Sequence, residues 1–99
     1  MEIAKNTNNS VLTLSLNGRL DTLAAPELEK ELKVVTEEPI RELHLDLKEL
    51  VYISSAGLRL LLRAQKFMNN RNGMKLYNVN DDIKEVFDIT GFMDILTIE

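Results

Sequence analysis

Val51-Tyr52-Ile53-Ser54-Ser55-Ala56-Gly57-Leu58-Arg59 carries the chain from a short apolar run, through two hydroxyl residues, into an apolar-periodic segment that extends to Met68. Such a change of pattern marks a strand handing over to a helix N-terminus, with the serines at the junction. The first N–H groups of a helix lack intrahelical acceptors and carry the positive end of its dipole. A seryl oxygen or a phosphate is stabilised there.

Outward from this junction, strands and helices alternate. Leu43, Leu45 and Leu47 alternate with His44 and Asp46, the pattern of a strand with one packed face. Lys48-Glu49-Leu50 reads as a connector, and Val51 to Ile53 returns toward the sheet. The helix is expected from Ala56 to about Asn70, with Leu60, Leu61, Ala64, Phe67 and Met68 on its apolar face and Gly73 as a left-handed stop. Lys75 to Val79 is a further strand. Asn80 or Asp81 then caps a last helix with Ile83, Val86, Phe87 and Thr90 on its inner face, ending at Gly91. Phe92 is placed to pack back on that end, and Asp94 to Glu99 is either an edge strand or a fraying tail.

Upstream, Glu2 to Lys5 and Val11 to Leu16 read as a hairpin around the turn cluster Asn6 to Ser10. Asn17-Gly18 can supply left-handed angles and reads as a turn. Asp21-Thr22 is an N-cap candidate for a helix over Leu23 to Thr36, with Pro26 and Glu27 near its start, Leu28, Leu32 and Val35 as its buried stripe and Pro39 at its exit. A hairpin followed by alternating strands and helices predicts an α/β fold: a mixed, mainly parallel sheet with helices mostly on one face, and residues 1–99 forming one domain.

Composition narrows the function. The 99 residues carry 16 acidic and 12 basic side chains, a formal net charge of −4. That balance disfavours nucleic acid and anionic membrane surfaces, which need a basic face, and suits a protein partner. Without cysteine there is no disulfide framework, thiol nucleophile or zinc-thiolate cluster, and one histidine is too few for most metal sites; no cofactor is expected. No segment approaches the roughly 18 apolar residues of a membrane span and the N-terminus has no signal-peptide core, so a cytoplasmic location is expected.

The two helix starts differ. The first carries Glu27, whereas the second offers Ser54, Ser55, Ala56, Gly57 and then Arg59, with no carboxylate in its first turn. A cation near a helix N-terminus opposes the dipole by about 0.3–1 kcal/mol, and Gly57 costs up to about 1 kcal/mol relative to alanine. A phosphate on a serine reverses the electrostatic sign, adding about −1.5 to −2 charge beside free N–H groups and a guanidinium. The plain alternative is that the serines are ordinary caps and Arg59 points to solvent.

Gly18-Arg19-Leu20-Asp21 after a strand, Leu45-Asp46-Leu47, Ile53-Ser54-Ser55-Ala56-Gly57-Leu58 opening a helix, and Asn78-Val79 before Ile83 and Val86-Phe87 together resemble STAS domains. Among these the chain is most similar to the bacterial anti-sigma factor antagonists, over essentially its whole length. The resemblance implies a partner-switching protein: an anti-sigma factor that is also a serine kinase phosphorylates the serine two positions before the helix-start glycine, here Ser55, and a PP2C-type phosphatase reverses it. The unmodified form binds the kinase and frees the sigma factor. Ser54, where such proteins usually carry aspartate, is the second-choice acceptor. Partner contacts are expected from Asp21, Ser54, Ser55, Ala56, Gly57, Leu58 and Arg59, with Leu58 offering apolar contact if exposed. Asp21 either orients the hydroxyl, touches the partner or caps the first helix. The family also commonly has a further C-terminal helix.

Two other functions are compatible with parts of the sequence. A STAS domain can serve as an accessory subunit of a membrane transporter or as a stress-signalling scaffold, using the same surface without sigma-factor control. Asp21, His44 and Ser55 follow the Asp…His…Ser order of one class of serine hydrolase, but Ile53 replaces the first glycine of a nucleophile elbow, and His44 among leucines reads as structural. A non-enzymatic role is therefore expected.

Overall fold

The computed structural model describes residues Met1–Glu99. Strands β1 (Glu2–Asn8) and β2 (Val11–Leu20) form an antiparallel hairpin, closed by Asn9 and Ser10 at φ 53° and 66°. A two-residue turn with both φ positive matches the right-handed twist of the strands, so β1 runs three residues beyond Lys5, through most of the polar cluster expected to turn. Strands β3 (Glu42–Ile53) and β4 (Met74–Tyr77) complete the sheet in the order β1-β2-β3-β4, with β2–β3 and β3–β4 parallel. This is the expected mixed, mainly parallel sheet.

Helical segments α1 (Ala25–Leu32), α2 (Val34–Glu37), α3 (Ser55–Met68) and α4 (Asp81–Thr90) supply the opposite wall of the core. On the strands, Leu12, Leu14, Leu16, Leu43, Leu45, Leu47, Met74 and Leu76 are all buried and share one face. Leu28, Leu61, Met68, Ile83 and Phe87 meet them from the helices. The other sheet face is polar and partly open. There His44 Nε2 lies 2.8 Å from Glu42 Oε1, Lys75 Nζ lies 3.4 Å from the same oxygen, and the His44 and Tyr77 rings are 5.0 Å apart.

Several local expectations are corrected. Asn17-Gly18 is not a turn and Lys48-Glu49-Leu50 is not a connector: both lie within long paired strands. The register slips between Ser15 and Asn17 and again between Gly18 and Arg19, so β3 places extra residues opposite β2. Gly18, at φ 111°, absorbs the distortion. The helix expected over Leu23 to Thr36 starts at Ala25, where Pro26 falls in its first turn, and breaks at Lys33. The following β-branched run Val34-Val35-Thr36 has low helix propensity, consistent with a single weak turn. Val79 lies beyond β4, because Asn78 takes a left-handed conformation at φ 58°.

Two polar residues pin the remaining elements. Asn80 caps α4 by accepting from the Ile83 N–H at 3.0 Å, while its amide donates to the Leu50 carbonyl at 2.7 Å. Buried Gln65 on α3 donates to Asn69 Oδ1 and accepts from the Thr97 N–H at 3.2 Å. The C-terminal stretch is neither a full strand nor free. A 3₁₀ turn at Phe92–Asp94 leads to buried Leu96, and Ile98 forms a single parallel bridge with Leu76 on the edge of β4.

Candidate functional site

Leu20 and Ile53 are register partners at the ends of parallel strands β2 and β3, so the two chains emerge side by side. The Ser54 N–H donates to the Leu20 carbonyl at 2.8 Å, which ties the start of α3 to the loop that begins at Asp21. This brings together two sequence-distant candidates, Asp21 and the serine pair.

The two serines have different jobs. Ser54 is extended (φ −90°, ψ 172°) and half-buried; its Oγ accepts from the Gly57 N–H at 3.3 Å and its carbonyl from the Leu58 N–H at 2.9 Å. It is the N-cap, so α3 begins at Ser55, one residue before the expected start. Ser55 is exposed, and its hydroxyl makes no hydrogen bond within the protein. The N–H groups of Ser55 and Ala56 precede the first helical acceptor and have no protein partner.

Gly57 is buried for a packing reason. A Cβ there would lie 2.7 Å from Leu20 Cγ and 3.0 Å from Ile53 Cγ1, so the helix approaches the strand ends as closely as it does only with glycine. The helix-propensity penalty noted in the sequence therefore accompanies a close contact between α3 and the sheet. Leu58 is 7 % exposed and belongs to the core, so the apolar contact made conditional on its exposure is not available. Exposed apolar surface beside the site comes instead from Leu23, 87 % exposed in the loop after β2, and from Val51 and Tyr52 at the end of β3. The Arg19 guanidinium covers the Tyr52 ring at 4.2 Å. Leu50 to Ile53, four apolar residues in a row, break the alternation of β3 and are buried at the ends and exposed between, a pattern that residue type alone does not reveal.

Asp21 caps a turn rather than the helix. Its Oδ1 accepts from the Ala24 N–H at 2.9 Å and its carbonyl from the Ala25 N–H at 2.9 Å, whereas α1 itself has Ala24 as its N-cap without a side-chain bond. Arg59 is exposed, makes no ion pair and lies one helical turn beyond Ser55, on the same face. His44 lies nine residues before Ile53 in β3, roughly 30 Å away along the strand, and on the polar sheet face. The order Asp21, His44, Ser55 thus assembles no triad.

An α/β sheet of this connectivity, with a small-residue helix tip at the carboxyl ends of two parallel strands, defines a STAS-type domain. The STAS domain family model matches residues 2–99, and the chain belongs to that family. An anti-sigma-B factor antagonist from Staphylococcus aureus is 30 % identical over 100 residues, covering 99 % of this chain and 92 % of that protein. Among solved structures, an anti-sigma factor antagonist from Mycobacterium paratuberculosis has a TM-score of 0.87 at 20 % identity, covering 98 % of this chain and 83 % of the other. SpoIIAA, an anti-sigma factor antagonist, matches in its unphosphorylated form at TM-score 0.78 and 15 % identity, with 99 % and 87 % covered. A sulfate transporter family protein from Wolinella succinogenes shares the fold at TM-score 0.76 and 24 % identity, with 93 % and 75 % covered.

Proposed function

We propose that this chain is an anti-sigma factor antagonist that works by reversible phosphorylation of Ser55. Unmodified, it binds a serine-kinase anti-sigma factor in the cytoplasm through the tip of α3 and the adjoining Asp21 loop, and a sigma factor is freed. Transfer of a phosphoryl group from a nucleoside triphosphate forms the Oγ–P bond, the bond to the diphosphate breaks, and the seryl proton passes to the kinase. A PP2C-type phosphatase hydrolyses the ester. The chain itself acts by binding, not catalysis.

The observation that carries this assignment is the difference between the serines: the Ser55 hydroxyl is exposed and unbonded at an unsatisfied helix N-terminus, while Ser54 is committed to the cap. A phosphate at Ser55 would meet free N–H groups and the Arg59 guanidinium without disturbing the core. Its bulk and charge would obstruct a close-fitting partner. That SpoIIAA has been solved in both phosphorylated and unphosphorylated forms, each similar to this chain, supports the same reading. The transporter-subunit alternative rests on fold likeness alone, whereas the antagonist relative is 30 % identical across nearly the whole chain.

The test is calorimetry with the kinase-type anti-sigma factor of the same genome, alongside intact-mass analysis of protein isolated from its own cells. Ser55→Ala is expected to bind as the unmodified chain does, and Ser55→Asp at least about tenfold more weakly. Equal affinities, or a Ser55 that never carries phosphate under any growth condition, would sink the switch.

A further inference from the structure

We propose that Asn72 is a site of spontaneous covalent modification, at which attack by the Gly73 nitrogen converts the side-chain amide to aspartate and isoaspartate, and that the isoaspartyl form loosens the β3–β4 junction. The chain holds two Asn-Gly pairs, Asn17-Gly18 and Asn72-Gly73. In such a pair the asparagine carbonyl carbon is within reach of the next residue's nitrogen, and glycine, with no Cβ, leaves the approach open. Whether the ring closes then depends on how firmly the backbone is held.

The fold separates the two pairs. Asn17 lies inside β2, paired with Glu2 of β1 on one side and Glu49 of β3 on the other, and Gly18 is paired with Leu50. Rotating that backbone into the attacking geometry would break the sheet. Asn72 and Gly73 lie in the connection between α3 and β4, outside any helix or strand. The Asn72 side chain is exposed and makes no hydrogen bond, the Gly73 N–H donates to no acceptor, and a Cβ built on Gly73 would meet nothing within 4 Å. Arg41 and Arg71 line the same surface depression as Asn72, with no carboxylate among its residues. Their positive field favours the deprotonated nitrogen and the tetrahedral oxyanion it forms.

The Gly73 nitrogen, giving up its proton, bonds to Asn72 Cγ; the Cγ–Nδ2 bond breaks, and the amide nitrogen leaves as ammonia with that proton. The cyclic imide then takes up water. Opening at Cγ gives aspartate with the main chain unchanged, whereas opening at the main-chain carbonyl gives isoaspartate, whose backbone runs through Cβ and Cγ and is one methylene longer. The products load the fold differently. The Asn72 N–H donates to the Arg41 carbonyl at 2.9 Å, and the Gly73 carbonyl accepts from the Leu43 N–H at 3.1 Å, so the extra methylene falls between two hydrogen bonds that dock the start of β4 on β3. Aspartate leaves both bonds in place and sets its charge near Arg41 and Arg71. Ser55 follows the opposite end of β3, outside the modified region.

The folded full chain, aged in mildly alkaline buffer and mapped by peptide mass spectrometry, is expected to deamidate at Asn72 at least about tenfold faster than at Asn17, because only the latter must first open the sheet. In concentrated urea the two pairs should react at similar rates. Enzymatic methylation of isoaspartate identifies that product. In the aged fraction that carries it, the Leu43 amide should exchange with solvent about tenfold faster than in fresh protein, whereas Asn72→Asp, which reproduces the other product, should exchange as the parent does. Asn72→Gln, a change at an exposed and unbonded side chain, should remove the modification at this position and keep Leu43 exchange slow throughout ageing. Equal rates at Asn17 and Asn72 in the folded chain, or a difference that persists in urea, would overturn the selection of Asn72 by the fold. Isoaspartyl chain with unchanged Leu43 exchange would overturn the effect on the β3–β4 junction.

Discussion

Ser54 and Ser55 share a side chain and differ in everything the backbone decides. Because Ser54 precedes the helix, its Oγ reaches the Gly57 N–H; Ser55, already helical, points its hydroxyl to water. Ser54→Ala should therefore destabilise the chain by about 0.5–2 kcal/mol, and Ser55→Ala should change stability by no more than about 0.5 kcal/mol, as urea denaturation can measure. The reverse order would mean that the cap is misassigned. Gly57 gives a test in which two effects have opposite signs. Helix propensity alone predicts that Gly57→Ala stabilises by up to about 1 kcal/mol, but overpacking against Leu20 and Ile53 costs about 1–3 kcal/mol. The contact distances are short enough that packing wins, and a lowered denaturation midpoint is expected.

At the scale of elements, β3 organises both faces of the sheet. Its core face is leucine, while its polar face gathers Glu42 and His44 beside Lys75 and Tyr77 of β4. The hydrogen bond from His44, assisted by Lys75, holds the Glu42 carboxyl below its ordinary value of 4.5, and Glu42 in turn raises Lys75. A depressed carboxylate contributes stability above its ordinary range and loses it as pH falls through the folded value. Glu42→Gln should thus flatten part of the acid limb of the stability profile, read from denaturation midpoints between about pH 3 and 6. Lys75 behaves oppositely: its contribution is lost as pH rises through its raised value. Both groups are partly in solvent, so the effects are small. An acid limb identical in Glu42→Gln and the parent would show that the pairing does not persist in solution.

For the molecule as a whole, β3 is also the hinge of cooperativity, since it pairs with β2 on one side and β4 on the other while α3 and α4 pack on it. Leu45, fully buried and paired with Leu14 on β2 and Leu76 on β4, belongs to the common core. Leu45→Ala should cost about 2–5 kcal/mol, a large share of the roughly 5–15 kcal/mol expected of a domain this size. If residues 1–99 fold as one domain, far-UV circular dichroism and the fluorescence of Tyr52 and Tyr77 will report a single coincident transition, shifted together by the substitution. Separate transitions would show that the hairpin and the helical layer unfold independently.

The leucine alternations, the Asn80 and Gly91 caps and most of the apolar stripe of α3 were legible because each follows from local periodicity or from one residue's backbone preference, although Phe67, expected on that stripe, and Thr90, expected on the inner face of α4, are exposed near the ends of their helices. The same local logic singled out the serine-rich helix start and, with the family resemblance, Ser55. It failed where strand pairing overrides local signals. Gly18 looked like a turn because left-handed glycine usually makes one, yet pairing to β3 keeps it inside β2, opposite a strand that carries extra residues. Lys48 to Leu50 looked like a linker because a bulge interrupts alternation. Asp21 was expected beside the serines only through the family resemblance; the tertiary structure alone decided that Leu58 faces the core while Leu23 and Val51 face water, and that Gly57 is there to let α3 close on Leu20. Each depends on which distant backbone passes within a few ångströms, a quantity that the order of residues along one strand or helix does not contain.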